Sequence, residues 1–184
     1  MVRTPGQRAG LSRDAVLAAA REVFAERGTA GLSMRAVAAQ LGVAPNALYS
    51  HVADKTALVD ALLDDRLGAL TPPPADAEPL AGLRDVMLAT FDLLGRHADL
   101  VPLYLARQGA RGENARALGA AMTVLLARRG VTGDDAGLVV RALIVHTLGY
   151  AALATAEAPL DPPRLRAELE VTLGWLLTGA TAPT

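Results

Sequence analysis

Apolar residues recur every three to four positions along most of the chain, a spacing typical of helices that bury one face. Val16, Ala20 and Val23 form the first such stripe, and Leu83 and Met87 begin another. The same spacing predicts nine helical segments, which cover residues 13–27, 33–41, 45–51, 55–70, 80–95, 99–108, 113–129, 134–156 and 164–178. Aromatic residues make up only 3% of the chain, and no stretch requires a strand, so the sequence predicts an all-α fold.

Local signals set the ends of the first three segments. Ser12 and Ser33 stand where a helix N-cap is expected, and Gly42 stands where the chain must turn after the second segment. Pro45 follows at the first position of the third segment, where its missing N–H is tolerated. This succession of helix, tight turn and helix has the spacing of a helix-turn-helix motif.

Prolines divide the chain. Residues 71–79 include three consecutive prolines that cannot continue a helix, and we interpret this stretch as a Pro-rich joint. We therefore predict an N-terminal helix-turn-helix DNA-binding domain over residues 1–53, connected by the helix of residues 54–70. Residues 80–184 are predicted to form a C-terminal domain of five further helices.

Composition and charge narrow the function classes. The chain has no cysteine, which excludes a disulfide framework, a thiolate zinc site and a cysteine nucleophile. Its net charge is −1, but residues 1–55 hold seven basic and four acidic groups, as suits a DNA-binding head on an acidic body. Residues 1–11 are expected to form either a disordered terminus or a basic arm on DNA. No signal peptide is evident, so we expect a cytoplasmic protein.

The predicted helix over residues 134–156 is long and apolar enough to span a bilayer. Arg141 and His146 lie inside it, however, and a central arginine costs roughly 2.5–3.5 kcal/mol in a membrane. We therefore predict no membrane contact and a helix buried on several sides, which burial between two subunits would achieve.

Seven residues in and beside the motif form a candidate DNA surface. Asn46 and Ser50, expected on one helix face, carry groups that can hydrogen-bond base edges in the major groove. Arg35 can reach guanine or a phosphate, and Lys55 lies at a helix N-terminus that already favours an anion. The complete set is Arg35, Pro45, Asn46, Tyr49, Ser50, His51 and Lys55.

The stretch GLSMRAVAAQLGVAPNALYSHVADKTALVDAL resembles the N-terminal domain of the TetR family of transcriptional repressors. The signature that carries the resemblance is L-G-V, then L-Y-x-H, then K-x-x-L. Many members have phenylalanine after the histidine. This chain has Val52, as the tetracycline repressor does, so the resemblance leans to that branch. It is strong over residues 12–70 and looser beyond them.

The resemblance implies a homodimer of all-helical subunits, with nine or ten helices each, on a palindromic operator of double-stranded DNA. It also implies a C-terminal ligand-binding and dimerisation domain, with the dimer formed through the eighth and ninth predicted helices. It gives phosphate contacts to Tyr49, His51 and Lys55 and a base contact to Arg35. The other three residues of the candidate DNA surface occupy variable positions, so we expect a different operator.

The resemblance further implies a pocket for a small-molecule effector. Pro102 and Leu153 stand where the tetracycline repressor has two residues that help to hold drug-bound magnesium, so we expect no recognition of that chelate. The histidines show no metal-ligand spacing, and we predict neither a metal site nor a cofactor. The few aromatic residues favour a largely apolar effector. Candidate pocket residues are Met87, Phe91, His97, Tyr104, Gln108, Met122, His146 and Tyr150.

Three hypotheses follow. The first is a repressor that a small, largely apolar effector releases from its operator. The alternative is a related DNA-binding regulator without a small-molecule effector, controlled by a protein partner or by its own level. A filled C-terminal core would favour that alternative. The third, a helical enzyme, requires convergent acid–base or nucleophilic groups, which the apolar C-terminal helices do not offer, so no catalytic residue is predicted.

Overall fold

The computed structural model of the chain describes residues 11–156 and 160–180. These residues are folded into α-helices and 3₁₀ helices without a strand, and the predicted all-α fold is confirmed. The 3₁₀ helices are Pro45–Ser50 and Ala98–Leu100. The α-helices are α1 (Arg13–Gly31), α2 (Met34–Leu41), α3 (Lys55–Leu67), α4 (Pro79–Arg96), α5 (Val101–Arg107), α6 (Glu113–Ala127), α7 (Gly133–Thr155) and α8 (Pro162–Ala180).

The chain divides into two compact units between Leu62 and Leu63, inside α3. We call the described residues before this division the N-terminal unit and those after it the C-terminal unit. The Pro-rich stretch 71–79 lies wholly within the C-terminal unit. The predicted domain boundaries stay a prediction. The predicted basic arm falls almost entirely on residues 1–10, outside the described residues.

The apolar core of the N-terminal unit includes side chains of α1, α2, the 3₁₀ helix Pro45–Ser50 and the link between α1 and α2. Val16, Val23, Leu32, Val37 and Leu48 are all fully buried there. α1 packs against α2, and α2 packs against the 3₁₀ helix. These buried positions are the ones that helical spacing places on one face of each segment.

Local caps and turns orient these segments. The hydroxyl oxygen of Ser12 accepts from the Ala15 amide at 3.1 Å, and that of Ser33 accepts from the Ala36 amide at 3.2 Å. Gly42 adopts a left-handed conformation with φ of 65° and ends α2. Gly28, with φ of 61°, breaks the helical geometry inside α1, so the predicted stop at this glycine is a break within Arg13–Gly31.

The prediction of an α-helix over residues 45–51 is wrong in type, because Pro45–Ser50 is a 3₁₀ helix. Its bonds join residues three apart, as in Ala47 N–H to the Ala44 carbonyl at 2.9 Å. Six residues are short enough for the 3₁₀ geometry, which proteins use in short segments.

In the C-terminal unit, α4 packs against α6, α7 and α8, and α7 also packs against α5, α6 and α8. The guanidinium of Arg166 on α8 donates to both carboxylate oxygens of Asp92 on α4, at 2.8 and 3.1 Å. The predicted single helix over 99–108 is instead a 3₁₀ turn followed by α5. α5 ends at Gln108, whose φ of 57° is left-handed, and the Gly109 amide donates to the Tyr104 carbonyl at 2.8 Å.

The Pro-rich stretch is held by hydrogen bonds within the C-terminal unit. Arg128, just after α6, donates to the carbonyls of Ala75 and Ala77. The Glu78 carboxylate then caps α4 by accepting from the amides of Leu80 and Ala81, at 3.2 and 2.7 Å. These two amides hold the pKa of Glu78 below its ordinary value, because they stabilise the charged carboxylate.

Candidate nucleic-acid interface and ligand cavity

The candidate DNA surface lies on the 3₁₀ helix and the helix starts on either side of it. Its side chains are exposed at every position but His51, which is half-buried. Tyr49 is 53% exposed, whereas its neighbour Leu48 is fully buried and anchors the 3₁₀ helix to the core. An aromatic ring left this open, with a hydroxyl at its end, is suited to contact a polar partner such as a phosphate.

The 3₁₀ geometry changes which of these residues share a face. With three residues per turn, Asn46 lies above Tyr49, and Ser50 is about a third of a turn away from Asn46. The expectation that Asn46 and Ser50 share one α-helical face is therefore wrong for this structure. Ser50 instead donates its hydroxyl to the Ala47 carbonyl at 3.0 Å, which leaves its oxygen as an acceptor.

Lys55 occupies the first position of α3. Asp54 caps this helix by accepting from the Ala57 amide at 2.8 Å, and the Leu58 amide donates to the Asp54 carbonyl at 3.0 Å. The amides of Lys55 and Thr56 precede the first intrahelical bond and point out of the helix end. An anion that approaches the exposed Lys55 therefore meets a positive side chain and a helix N-terminus together.

A cavity of about 720 Å³ lies in the C-terminal unit, bounded by residues of α4, α5, α6 and α7. Four predicted pocket residues line it, namely Met87, Tyr104, Gln108 and Met122. Gln108 lines the cavity and has a left-handed backbone with φ of 57°. This conformation is uncommon for residues other than glycine and costs free energy. The remaining lining is mainly aliphatic and includes Thr90 as a further polar group.

The other four predicted pocket residues lie outside this cavity. Phe91 is buried in α4, and His97 caps the C-terminal end of that helix. His146 and Tyr150 contact each other edge to face on α7, with ring centroids 5.0 Å apart. Burial lowers the pKa of both His97 and His146, and for His97 the nearby Arg66 acts in the same direction.

His146 also joins α7 to α8. Its Nε2 lies 2.7 Å from the hydroxyl oxygen of Thr172, whose hydrogen can be directed to backbone carbonyls of α8, Glu168 at 2.9 Å and Leu169 at 3.1 Å. A neutral His146 ring with its hydrogen on Nε2 donates to this hydroxyl oxygen, whereas the other tautomer accepts from the hydroxyl.

Two sets of hydrogen bonds, one buried and one partly buried, connect α3 to the walls of the cavity, all within the C-terminal unit. The Tyr104 hydroxyl donates to the Leu63 carbonyl at 2.6 Å, and burial raises the pKa of this phenol, so it stays protonated. Asp64 caps α6, accepting from the amides of Asn114 at 3.2 Å and Ala115 at 2.9 Å. The Asn114 side chain returns a bond to the Asp64 carbonyl at 3.0 Å.

Sequence reasoning missed Asp64 and Asn114, because they meet only when distant segments pack. Arg141 was considered only as evidence against a membrane span, although this residue and Arg111 both line the cavity. Within the part of the chain that the structure describes, no group of three or more His, Asp or Glu residues is arranged to hold a metal ion.

α7 meets the length and composition expected of a membrane span, and it is the only described helix that does. Several of its apolar side chains remain open in the single chain, including Leu138 and Val145, each 62% exposed. On α8, Trp175 is 70% exposed and Val171 is 53% exposed. Large apolar side chains gathered on two neighbouring helices mark a surface that gains from being covered.

A model of the family described as bacterial regulatory proteins, tetR family, matches residues 16–62, a range that contains the whole candidate DNA surface. The chain is 32% identical over 100 residues to the HTH-type transcriptional regulator TtgR of Pseudomonas putida. That match covers 51% of this chain and 48% of TtgR, so the chain spans about half the length of the curated relatives it matches. These relatives are regulators of transcription and not enzymes, in agreement with the sequence prediction.

Solved structures are similar over nearly the whole chain. BioQ of Mycobacterium smegmatis is 25% identical, with a TM-score of 0.79 over 93% of this chain and 98% of that chain. A structure of BioQ with its double-stranded DNA operator is also 25% identical, with a TM-score of 0.72 over 94% and 99% of the two chains.

A variant of TetR from Acinetobacter baumannii AYE, in complex with minocycline, is again 25% identical, with a TM-score of 0.76 over 92% and 96% of the two chains. BioQ and TetR thus match at the same identity. The leaning to the tetracycline-repressor branch stays a prediction.

Proposed function

We propose that this chain, whose residues 16–62 match the tetR family of bacterial regulatory proteins, is a transcriptional repressor that binds a palindromic operator as a homodimer. A small, largely apolar effector releases it. The observation that carries the proposal is the exposed polar set around Pro45–Ser50, mounted on an N-terminal unit whose interior is apolar. Such a surface supplies both phosphate and base contacts from one rigid motif.

In the proposed complex, Tyr49, His51 and Lys55 contact phosphates and fix the position of the N-terminal unit on the duplex. Arg35 and Asn46 reach base edges, with Pro45 beside them. Ser50 contributes its hydroxyl oxygen as an acceptor, because its hydrogen is used within the 3₁₀ helix. The phosphate contacts give affinity for any DNA, and the base contacts choose the operator.

The homodimer forms through α7 and α8, the eighth and ninth predicted helices. Their exposed apolar side chains outside the cavity, with Leu138 and Trp175 the most open, support this assignment. Pairing with a second copy covers the apolar face of α7 without a membrane, in keeping with the expected cytoplasmic location.

The effector binds in the cavity of the C-terminal unit. Tyr104 lines that cavity and holds the α3 backbone at Leu63, so a ligand that displaces Tyr104 acts on α3 directly. α3 begins at Lys55, and a shift of this helix changes the placement of the proposed phosphate contacts. The effector lowers operator affinity to the extent that it prefers the shifted state. An open cavity favours this control over the alternative without an effector.

Selection of bound duplexes from a random DNA pool tests the proposal. We expect enrichment of a palindrome whose half-sites are centred about one helical turn apart, or a multiple of it, because two equal surfaces read two grooves. Enrichment of a single asymmetric half-site, or of no sequence, would contradict it. The selected duplex then provides the assay for release by candidate effectors.

A further inference from the structure

The charged side chains that line the cavity of the C-terminal unit are positive. Among the described residues that line it, Arg111 and Arg141 are the charged ones, and no carboxylate lines it. Both arginines are exposed, whereas deeper lining residues such as Met122 and Leu118 are buried. The cavity therefore combines an apolar interior with positive groups that solvent can still reach.

Arg141 is the charged residue of α7 that needs an explanation. From residue 136 to residue 156 it is the sole Asp, Glu, Lys or Arg in the sequence, in the middle of a largely apolar helix. Gly137 and Val145, four positions before and after it, line the same cavity, so helical spacing directs Arg141 to that face. No ion pair joins it to a carboxylate of the described residues, and its side chain is exposed, so an anion can reach the guanidinium.

Arg111 also lines the cavity, and it lies in the segment between α5 and α6. Its Nη1 donates to the carbonyl of Arg107 at 2.8 Å, which fixes the guanidinium close to the end of α5. This bond uses one of the five donors of the side chain, and the rest remain suited to an oxygen anion.

From these observations we propose that the effector is an amphipathic anion. Its carboxylate or sulfonate group pairs with Arg141, Arg111 adds a second positive charge, and its apolar body fills the space beside Met87 and Met122. This inference rests on the proposed function, because it names the ligand class of the same cavity. A volume of about 720 Å³ is within the range of small-molecule sites and accommodates a two- or three-ring body.

Two fluorescent probes with the same aromatic body test the charge directly. 8-Anilinonaphthalene-1-sulfonate carries an anion, and N-phenyl-1-naphthylamine is its neutral counterpart. Each is titrated into the full chain, its Arg141→Gln variant and the control Arg116→Gln, which removes an exposed charge of α6 outside the cavity. We expect Arg141→Gln to weaken binding of the anionic probe by about tenfold or more, the loss typical of a charge-assisted hydrogen bond. The neutral probe and the control variant should change less than about twofold.

A Gly119→Phe variant checks that the probes occupy this cavity. Gly119 lines the cavity, and a Cβ at this position would meet nothing within 4 Å, so the ring enters open space without backbone conflict. We expect it to weaken both probes. Unchanged binding of both would place them elsewhere and overturn the assignment.

Other outcomes separate this inference from the proposed function. If Arg141→Gln weakens both probes equally, or weakens the dimer while the ratio of the two affinities stays constant, Arg141 serves packing or pairs with a second copy. The anion inference then fails, and the proposed repressor stands. If neither probe binds a chain that still binds its selected operator, the cavity is not an effector site, and both the inference and the effector-controlled part of the proposed function fail.

Discussion

In the N-terminal unit, the exposed residues proposed to contact DNA are held by bonds between near neighbours in sequence. Ser33 and Asp54 cap their helices through amides only three positions away. In the C-terminal unit, the cavity is framed by bonds that join residues 41 to 51 positions apart, as from Tyr104 to Leu63 and from Ala115 to Asp64. Short-range bonds allow a motif to form from its own sequence, whereas the cavity forms only when distant helices have packed.

This difference has a functional consequence. A motif whose geometry is set locally is expected to keep its internal shape whatever the C-terminal unit binds. In the proposed mechanism, a ligand that rearranges the cavity walls shifts α3, because those walls share hydrogen bonds with this helix. The N-terminal unit is thus suited to bind DNA, and the C-terminal unit is suited to control how the proposed contacts are placed. The predictions below challenge this comparison, beginning with the largest expected effect.

Leu48→Ala removes a fully buried side chain that joins the 3₁₀ helix to the core of the N-terminal unit. We expect a loss of about 2–5 kcal/mol in stability, because a large apolar side chain is replaced by a cavity. Operator affinity should fall with it, while probe binding in the C-terminal unit is retained. Thermal denaturation and fluorescence titration measure the two effects. The matched control is Leu160→Ala, at a side chain that is 55% exposed and lies outside the cavity. A parallel loss of probe binding in Leu48→Ala would contradict the separation of the two units.

Gly112→Ala breaks the long-range bonds of the C-terminal unit. A Cβ at Gly112 would overlap with the side chain of Asp64, so the carboxylate must leave the amides that it caps. We expect a loss of about 1–3 kcal/mol, the cost of leaving buried hydrogen-bonding groups unpaired. The control Gly95→Ala places its Cβ where nothing lies within 4 Å. Equal melting temperatures for the two variants would show that the Asp64 cap contributes nothing.

Lys55→Ala removes a proposed phosphate contact without disturbing the core. We expect weaker binding to all DNA sequences by a similar factor, and a salt dependence of log affinity that is flatter by about one unit. Arg27→Ala serves as the control, because that exposed arginine is paired with Glu26 at 3.9 Å. Affinity measured at several salt concentrations decides the point, and an unchanged slope would remove Lys55 from the interface.

Acidification should produce the smallest effect. Burial holds the pKa of His146 below its ordinary value of 6.5, so the folded chain favours the neutral ring and the unfolded chain takes up the proton first. The stability that the neutral His146 ring contributes is complete at pH values above the pKa of the unfolded chain. It is lost as the pH falls through the lower pKa of the folded chain. We expect the midpoint of urea unfolding to decrease on going from pH 7.5 to 5.5. His146→Gln should flatten that decrease, and an unaltered pH profile would argue against it.

The helices of the N-terminal unit were accessible from the sequence because their determinants are local, and the DNA contacts stay a prediction. The caps at Ser12 and Ser33 and the left-handed Gly42 follow from residue type and position alone. The 3₁₀ geometry of Pro45–Ser50 could not be predicted from the sequence, because the apolar spacing of such a short segment fits either kind of helix.

The cavity was accessible only in part. Met87 and Met122 lie on apolar faces of their helices, so helical spacing predicted that both side chains are buried. The same reasoning placed His146 beside a ligand, whereas in the structure its ring bonds to Thr172 across the packed helices α7 and α8. Spacing along one helix does not tell which neighbouring helix a buried face will meet, and the Asp64 cap of α6 depends on a contact 50 positions away.

The central claim is that two copies of this chain hold one operator. Native mass spectrometry of the protein with the selected duplex counts the copies directly. The proposal predicts complexes that contain an even number of chains per full palindrome, and much weaker binding when one half-site is scrambled. A complex of one chain with one duplex, bound equally well by the scrambled site, would contradict it.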